Sequence, residues 1–230
     1  MRTFGHRRDL RRAAGGLHRR LPVKAASTVA GGAALALAWS PAPEAVFGHG
    51  FAAHMTSHMT VVAIAAPLLA LGLVGSRADP SLVRATLFAA VPVSLVELVV
   101  VWGWHAPAAH DLARSNGGVY VAEQASFLLA GLWLWIACLG HGASRAAAAQ
   151  GAVGMLLTSI HMTLLGVLLS TTTVALYAAH HGGEQHALHQ QHVGGIVMLL
   201  IGGGVYLAGG LALAARLLRE DAAADGGHGR

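Results

Sequence analysis

The chain has 230 residues, 55% of them hydrophobic and only 11% charged, whereas a soluble globular domain carries about a quarter charged side chains. An ordinary soluble fold is thereby excluded. The formal net charge of +5 would suit a nucleic-acid binder, but the basic residues sit in the first 24 positions and in short loops between apolar runs, which is a pattern of membrane topology.

A basic leader, residues 1–24, is expected on the cytoplasmic side. The first apolar run, 25–40, is short. It reads either as a retained anchor or as the core of a secretory signal, since Lys24 and the arginines precede it and Ser40-Pro-Ala-Pro-Glu-Ala45 follows; the lack of a clean Ala-x-Ala site favours the anchor. Five further runs follow, over 51–75, 82–104, 119–140, 148–177 and 192–217. Each is long enough to cross ~30 Å of hydrocarbon at 1.5 Å per residue. The expectation is an all-α polytopic transmembrane bundle of about six spans, with one helical domain over 25–217 and a polar cytoplasmic tail over 218–230. The 30 glycines are the kind of small residue that lets membrane helices approach closely. Gly202-Gly-Gly204 reads as a packing or kinking site within the last span. The one cysteine, Cys138, excludes an intramolecular disulfide and the paired-cysteine patterns of zinc and c-type haem sites.

With the N-terminus inside, every lysine and arginine except Arg114 falls on the inner side of these spans, so the distribution supports both the number of spans and a cytoplasmic location for both termini. Of the 15 histidines, His6 and His18 lie in the basic leader and the remainder segregate the other way. His49, His54, His58, His105, His110, His180, His181, His186, His189 and His192 lie outside or in the outer half of a span, whereas His141 and His228 are inner and His161 lies near mid-membrane.

The sharpest local pattern is His54-Met55-Thr56-Ser57-His58-Met59, where the i, i+4 spacing places both imidazoles on one helical face. Met55 and Met59 repeat that spacing about 100° around the helix. Imidazole with thioether suits Cu(I), and a polar ring within lipid needs a partner. A third such pair, His161-Met162, lies in the fifth span; His161 is either a deeper ligand or a helix contact, with the helix contact favoured. At 1.5 Å per residue, His58 and Glu97 come out at similar depth, roughly 6 to 8 Å outside the midplane, with Glu123 a little higher. A His-carboxylate cluster is therefore expected, with Glu97 and Glu123 orienting imidazoles from behind. His105 follows Trp102 and Trp104 at an outer span end, where indoles anchor in the headgroup zone. Five histidines within residues 179–192 favour weak metal capture. No P-loop, Gly-x-Ser-x-Gly or His-Glu-x-x-His pattern is present, so no enzyme is expected.

Three segments together resemble the CtaG-type assembly factors of bacterial cytochrome c oxidase. They are Phe51-Ala-Ala-His-Met-Thr-Ser-His-Met59 running on to Ala66-Pro-Leu-Leu-Ala-Leu-Gly72; Trp104-His-Ala-Pro107 with Glu123 and Phe127-Leu-Leu-Ala-Gly131; and Gln190-Gln-His-Val-Gly-Gly-Ile-Val-Met198 through Gly203-Gly-Val-Tyr206. The resemblance implies a multi-pass protein of the bacterial inner membrane that helps deliver copper to the oxidase. Its His-Met segment carries over onto His54, Met55, His58 and Met59, and its Trp-His-x-Pro onto Trp104, His105 and Pro107. Two positions depart from the family pattern: Gln190-Gln191-His192 stands where Asp-Gln-Gln is usual, and Gln124 where a histidine commonly follows the acidic residue.

The expectation is therefore an assembly factor that binds copper, as Cu(I), with His54, His58, Met55, Met59, His105, His161 and His192 as the ligand pool. Its partners would be an oxidase subunit or another copper chaperone, together with membrane lipid and not nucleic acid; a homo-oligomer is compatible. The competing readings are a haem b-binding membrane oxidoreductase with two facing histidines and a copper transporter.

Overall fold

The computed structural model describes residues 23–140, 145–177 and 183–225. The leader up to residue 22 and His141, His180, His181 and His228 lie outside that set. The described residues are helical, with no strand among them. In chain order they form α1 (Val23–Ala38), α2 (Ala42–Phe47), α3 (Phe51–Leu73), α4 (Ala90–Trp104), α5 (Pro107–Ser115), α6 (Gly117–Leu139), α7 (Arg145–Thr171) and α8 (Glu184–Arg219).

Four helices, α3, α6, α7 and α8, are long and apolar enough to cross a bilayer, and α4 with α5 makes a fifth if that pair, bent by 70°, is one span. Apolar α1 is shorter. Four to five such spans thus stand against the six expected, and the difference lies in the first run, whose helix α1 is short, and in the run over 82–104. Pro80–Leu82 and Ala85–Phe88 are short 3-10 turns, and continuous helix begins only at Ala90. Asp79 organises this stretch, its carboxylate accepting from the Ser81 amide (2.9 Å), the Ser81 hydroxyl (2.6 Å) and the Gly75 amide (2.6 Å). Pro107, at the first turn of α5, lacks an N–H and disfavours a helical residue before it, so the chain turns there rather than extending α4.

Large side chains such as Val99, Leu129, Ile160 and Leu200 are each more than 60% exposed, on helices whose backbone polar groups are satisfied within the helix. In water that surface would be a liability; in lipid it is the expected outer face. The protein is a multi-pass membrane protein.

Helix α3 packs between α6 and α8. Gly131 of α6 lets that helix close on it, since a Cβ there would lie 3.3 Å from Val62 Cα. A Cβ at Gly194 of α8 would lie 2.6 Å from the Phe51 ring. Helices α7 and α8 touch backbone to backbone, where a Cβ on Gly195 would meet the Ser170 nitrogen at 2.6 Å and one on Gly166 the Leu199 nitrogen at 2.8 Å.

Two helices widen into π turns, α3 at Thr60–Ala65 and α8 at Met198–Gly203. In α3 the cause is in the sequence. A π turn pairs each carbonyl with the amide five residues on, and Ala66 N–H accordingly bonds Val61 O. The partner due to Val62 O would be residue 67, a proline without an N–H. A side chain supplies what the backbone cannot, because Trp135 Nε1 donates to Val62 O at 3.0 Å; the Tyr206 hydroxyl also lies 3.2 Å from that oxygen but commits its one proton to Glu97. An orphaned buried carbonyl thus ties α3 to α6.

The charges also sort by end. Lys24, whose Nζ donates to Val74 O at 2.6 Å, shares one end of the bundle with Arg77, Arg84, Arg145, Arg216 and Arg219. The other end gathers Phe51, His54, His105, His110, Tyr177 and Gln190, and carries Arg114.

Gly195→Ala drives a methyl into α7 backbone and is expected to lower stability in detergent by about 2 kcal/mol or more. Gly204→Ala, where nothing lies within 4 Å, is expected to be near neutral. Thermal unfolding of the two variants side by side checks this, and equal losses would contradict the packing.

Candidate metal centre

The first turns of α3 bring two histidines inward one above the other. His54 is 8% exposed and His58 not at all. Around them α4, α5 and α6 contribute His105, His110, Glu123 and Phe127, and two clusters result.

The upper cluster is built from three helices. One ligand atom each of His54, His110 and Glu123 lies within 4.8 Å of the others. His54 Nε2 stands 3.6 Å from Glu123 Oε1, and the His54 and His110 rings meet edge-on at 5.1 Å. Fully buried Glu123 has its other oxygen engaged, Oε2 accepting from Arg114 of α5 and, at 3.2 Å, from Gln124 Nε2. The Arg114 guanidinium also lies over the Tyr120 ring, 4.7 Å from its centre, a geometry in which the ring face attracts the cation. Gln124 passes the connection on, its Oε1 accepting from Trp39 Nε1 just beyond α1 at 3.1 Å. A cavity of about 400 Å³ opens onto this cluster, lined by His54, His110, Arg114 and Tyr120 and, farther out, by Glu44 and His49, which pair at 2.9 Å.

The lower cluster lies one turn deeper. His105 Nδ1 is 2.6 Å from Val101 O. A carbonyl can only accept, so Nδ1 carries the proton and Nε2 of the neutral ring presents a lone pair. That nitrogen faces Met55 Sδ at 3.3 Å. Neither atom has a proton to offer the other, so two electron-pair donors converge with nothing between them. His58 stands beside them, its ring 5.5 Å from that of His105 and 3.9 Å from Phe127, and neither of its nitrogens has a hydrogen-bond partner. Tyr177 fixes the loop that carries His105, its hydroxyl donating to His105 O at 2.7 Å while its ring stacks on Phe51 at 4.1 Å.

The remaining residues of the expected ligand pool lie elsewhere. Met59 points across the core at Gly202, where a Cβ would sit 3.0 Å from its sulfur. His161 lines an apolar groove between α4 and α7 with Leu95, Leu98 and Leu164, and neither of its nitrogens has a partner. His192 Nε2 donates to Thr172 O at 2.8 Å, tying α8 to the preceding loop. Glu97 does not contact an imidazole, because its Oε1 accepts from the Tyr206 hydroxyl at 2.7 Å. Glu123 does, but the imidazole is that of His54 rather than His58. Of the two departures from the family pattern, Gln124 bridges Glu123 and Trp39, and the Gln190-Gln191 pair acts as polar staples. Gln191 accepts from Leu176 N (2.8 Å) and donates to Val174 O (3.2 Å), and Gln190 bonds Ala52 N and Phe47 O, both at 3.3 Å.

Sequence reasoning placed His110 and Arg114 in an outer loop and gave neither a role. Pro107 at a helix start, followed by two cation-bearing positions four apart, is the signal that would have raised a short helix presenting both on one face.

The donor set fits a soft, monovalent cargo in the lower cluster, which combines two neutral imidazoles with a thioether, and a harder cation in the upper one, which adds a carboxylate. The family model described as cytochrome c oxidase caa3 assembly factor (Caa3_CtaG) matches residues 4–220. No curated protein and no solved structure matches the chain at a significant level.

Arg114→Ala leaves the Glu123 carboxylate buried without its cation and is expected to cost about 3 kcal/mol. Removing both partners in Arg114→Ala/Glu123→Ala should cost less than the sum of the single changes. Thermal unfolding of the four proteins tests this, and strict additivity would show that the pair is not coupled.

Proposed function

This chain belongs to the cytochrome c oxidase caa3 assembly factor family, and from that premise we propose that it takes up Cu(I) at its histidine end and hands it to the oxidase during assembly. The observation that carries this reading is the approach of His105 Nε2 to Met55 Sδ at 3.3 Å with no proton to share. A soft cation between them converts a contact of two lone pairs into two bonds, and His58 offers a third donor. Copper here is cargo. Neutral ligands and a low coordination number allow ligand exchange, so the ion is held without being trapped. No covalent step is asked of the protein, in keeping with a chaperone rather than an enzyme.

The direction of handling follows from charge. Lysines and arginines stay cytoplasmic, and Lys24, Arg77, Arg84, Arg145, Arg216 and Arg219 share the end opposite the histidines. The histidine end then faces outward from a bacterial cytoplasmic membrane, with α1 and the α4–α5 pair completing six passes. His54 and the cavity above it form the mouth, and His186 and His189 in the first turns of α8 lie on the same side. The recipient in this reading is an oxidase subunit in the same bilayer.

The haem reading asks for two histidines facing one iron. His58 is enclosed with Phe127 and His105, whereas His161 lines the groove between α4 and α7, so that pair does not face a common space.

Copper K-edge absorption of the protein loaded under reducing conditions is expected to show a sulfur neighbour that disappears in Met55→Leu. His58→Ala/His105→Ala is expected to lose the buried copper and to leave the oxidase immature in cells. A spectrum of nitrogen neighbours alone, unchanged in Met55→Leu, would overturn the assignment.

A further inference from the structure

Above the thioether pocket stands the second cluster, whose chemistry is different. It contains a carboxylate, its residues come from α3, α5 and α6, and it opens directly onto the cavity. Glu123 is fully buried, and its Oε1 has no hydrogen-bond partner while facing His54 Nε2 at 3.6 Å. Two imidazoles and a carboxylate, each with a ligand atom within 4.8 Å of the others, make a donor set for a borderline divalent cation rather than for Cu(I).

We propose that His54, His110 and Glu123 form a second cation site, separate from the Met55 pocket, in which Arg114 holds the place of the ion and yields it on loading. This goes beyond the copper reading and does not require it.

The argument turns on Glu123 Oε2, which Arg114 and Gln124 hold. A buried carboxylate needs a positive partner, and in the metal-free protein the guanidinium is that partner. A divalent ion bound by the same carboxylate supplies the charge in its place, and the two cations repel at this range. Loading therefore weakens the hold of Arg114 on Glu123. The side chain has somewhere to remain, because its guanidinium already lies over the Tyr120 ring at 4.7 Å and is 22% exposed at the cavity. The site so built is tuned for moderate affinity and ready release, since every binding event displaces an internal cation. Gln124, bonded to both Glu123 and Trp39, extends the same contact to the segment after α1.

Zinc(II) is the probe, because it does not change oxidation state. The full-length protein in lipid nanodiscs is titrated by calorimetry in a background carrying His180→Asn, His181→Asn, His186→Asn and His189→Asn, since a histidine-rich stretch binds zinc on its own account. Arg114→Gln is expected to bind zinc at least tenfold more tightly than the background protein, and Glu123→Gln and His110→Ala to lose that binding. Should Arg114→Gln fail to fold, Arg114→Lys decides. It retains a charge but not the planar fork and is expected to bind several-fold more tightly. Met55→Leu is expected to leave the zinc affinity unchanged. Zinc held no more tightly when Arg114 is replaced would overturn the proposal, as would binding indifferent to Glu123 and His110, or binding lost with Met55. Failure of the copper pocket shows instead in the sulfur ligation of Cu(I), which these titrations do not read.

Discussion

A neutral imidazole nitrogen and a thioether sulfur that face each other with no proton between them set the terms for the histidine end of this protein. His105 cannot turn its lone pair elsewhere, because Val101 O at 2.6 Å commits the other ring nitrogen to donation. Met55 cannot withdraw easily, because it lies fully buried against α8 at Gly194. The loop bearing His105 is pinned by Tyr177, and Tyr177 by its stack on Phe51. The packing thus holds open a contact that has little to recommend it as a structural interaction, and electron-pair donors kept apart from protons are what a soft cation needs.

The fold supplies rigidity for this through satisfied backbone rather than through any large polar network. Proline at position 67 leaves Val62 O without an amide, and the Trp135 indole fills the gap. That single orphan fastens α3 to α6 one turn below the histidines. Tyr206 donates to Glu97, so this buried carboxylate is drawn into the structural core, while Glu123 is held by Arg114, which lines the cavity. Two acidic residues of similar depth have different tasks because they face different helices.

Much of this was legible in the sequence. Helical spans, charge segregation and the shared face of His54 and His58 follow from composition and from the 3.6-residue period. The rise per residue also assigns each residue of a span an expected depth. Rotation about each helix axis was not. Glu97 and His58 came out at similar depth, yet nothing in a single sequence says that Glu97 turns to Tyr206 and that Glu123 turns to His54 and Arg114. The same gap separates Met55 from Met59, which share a helical face by spacing but meet His105 and Gly202 respectively. The beginning of α4 at Ala90 was missed because apolar residues in 3-10 turns look like the start of a span. His110 and Arg114 were missed because α5 is a nine-residue helix that reads as loop.

The central claim is the location of copper, and anomalous diffraction at the copper edge tests it most directly on crystals of the reduced, Cu(I)-loaded protein. The account predicts a peak between His105 Nε2 and Met55 Sδ, within reach of His58. Anomalous density confined to the 179–192 loop or to the groove beside His161, with none at Met55, would contradict it.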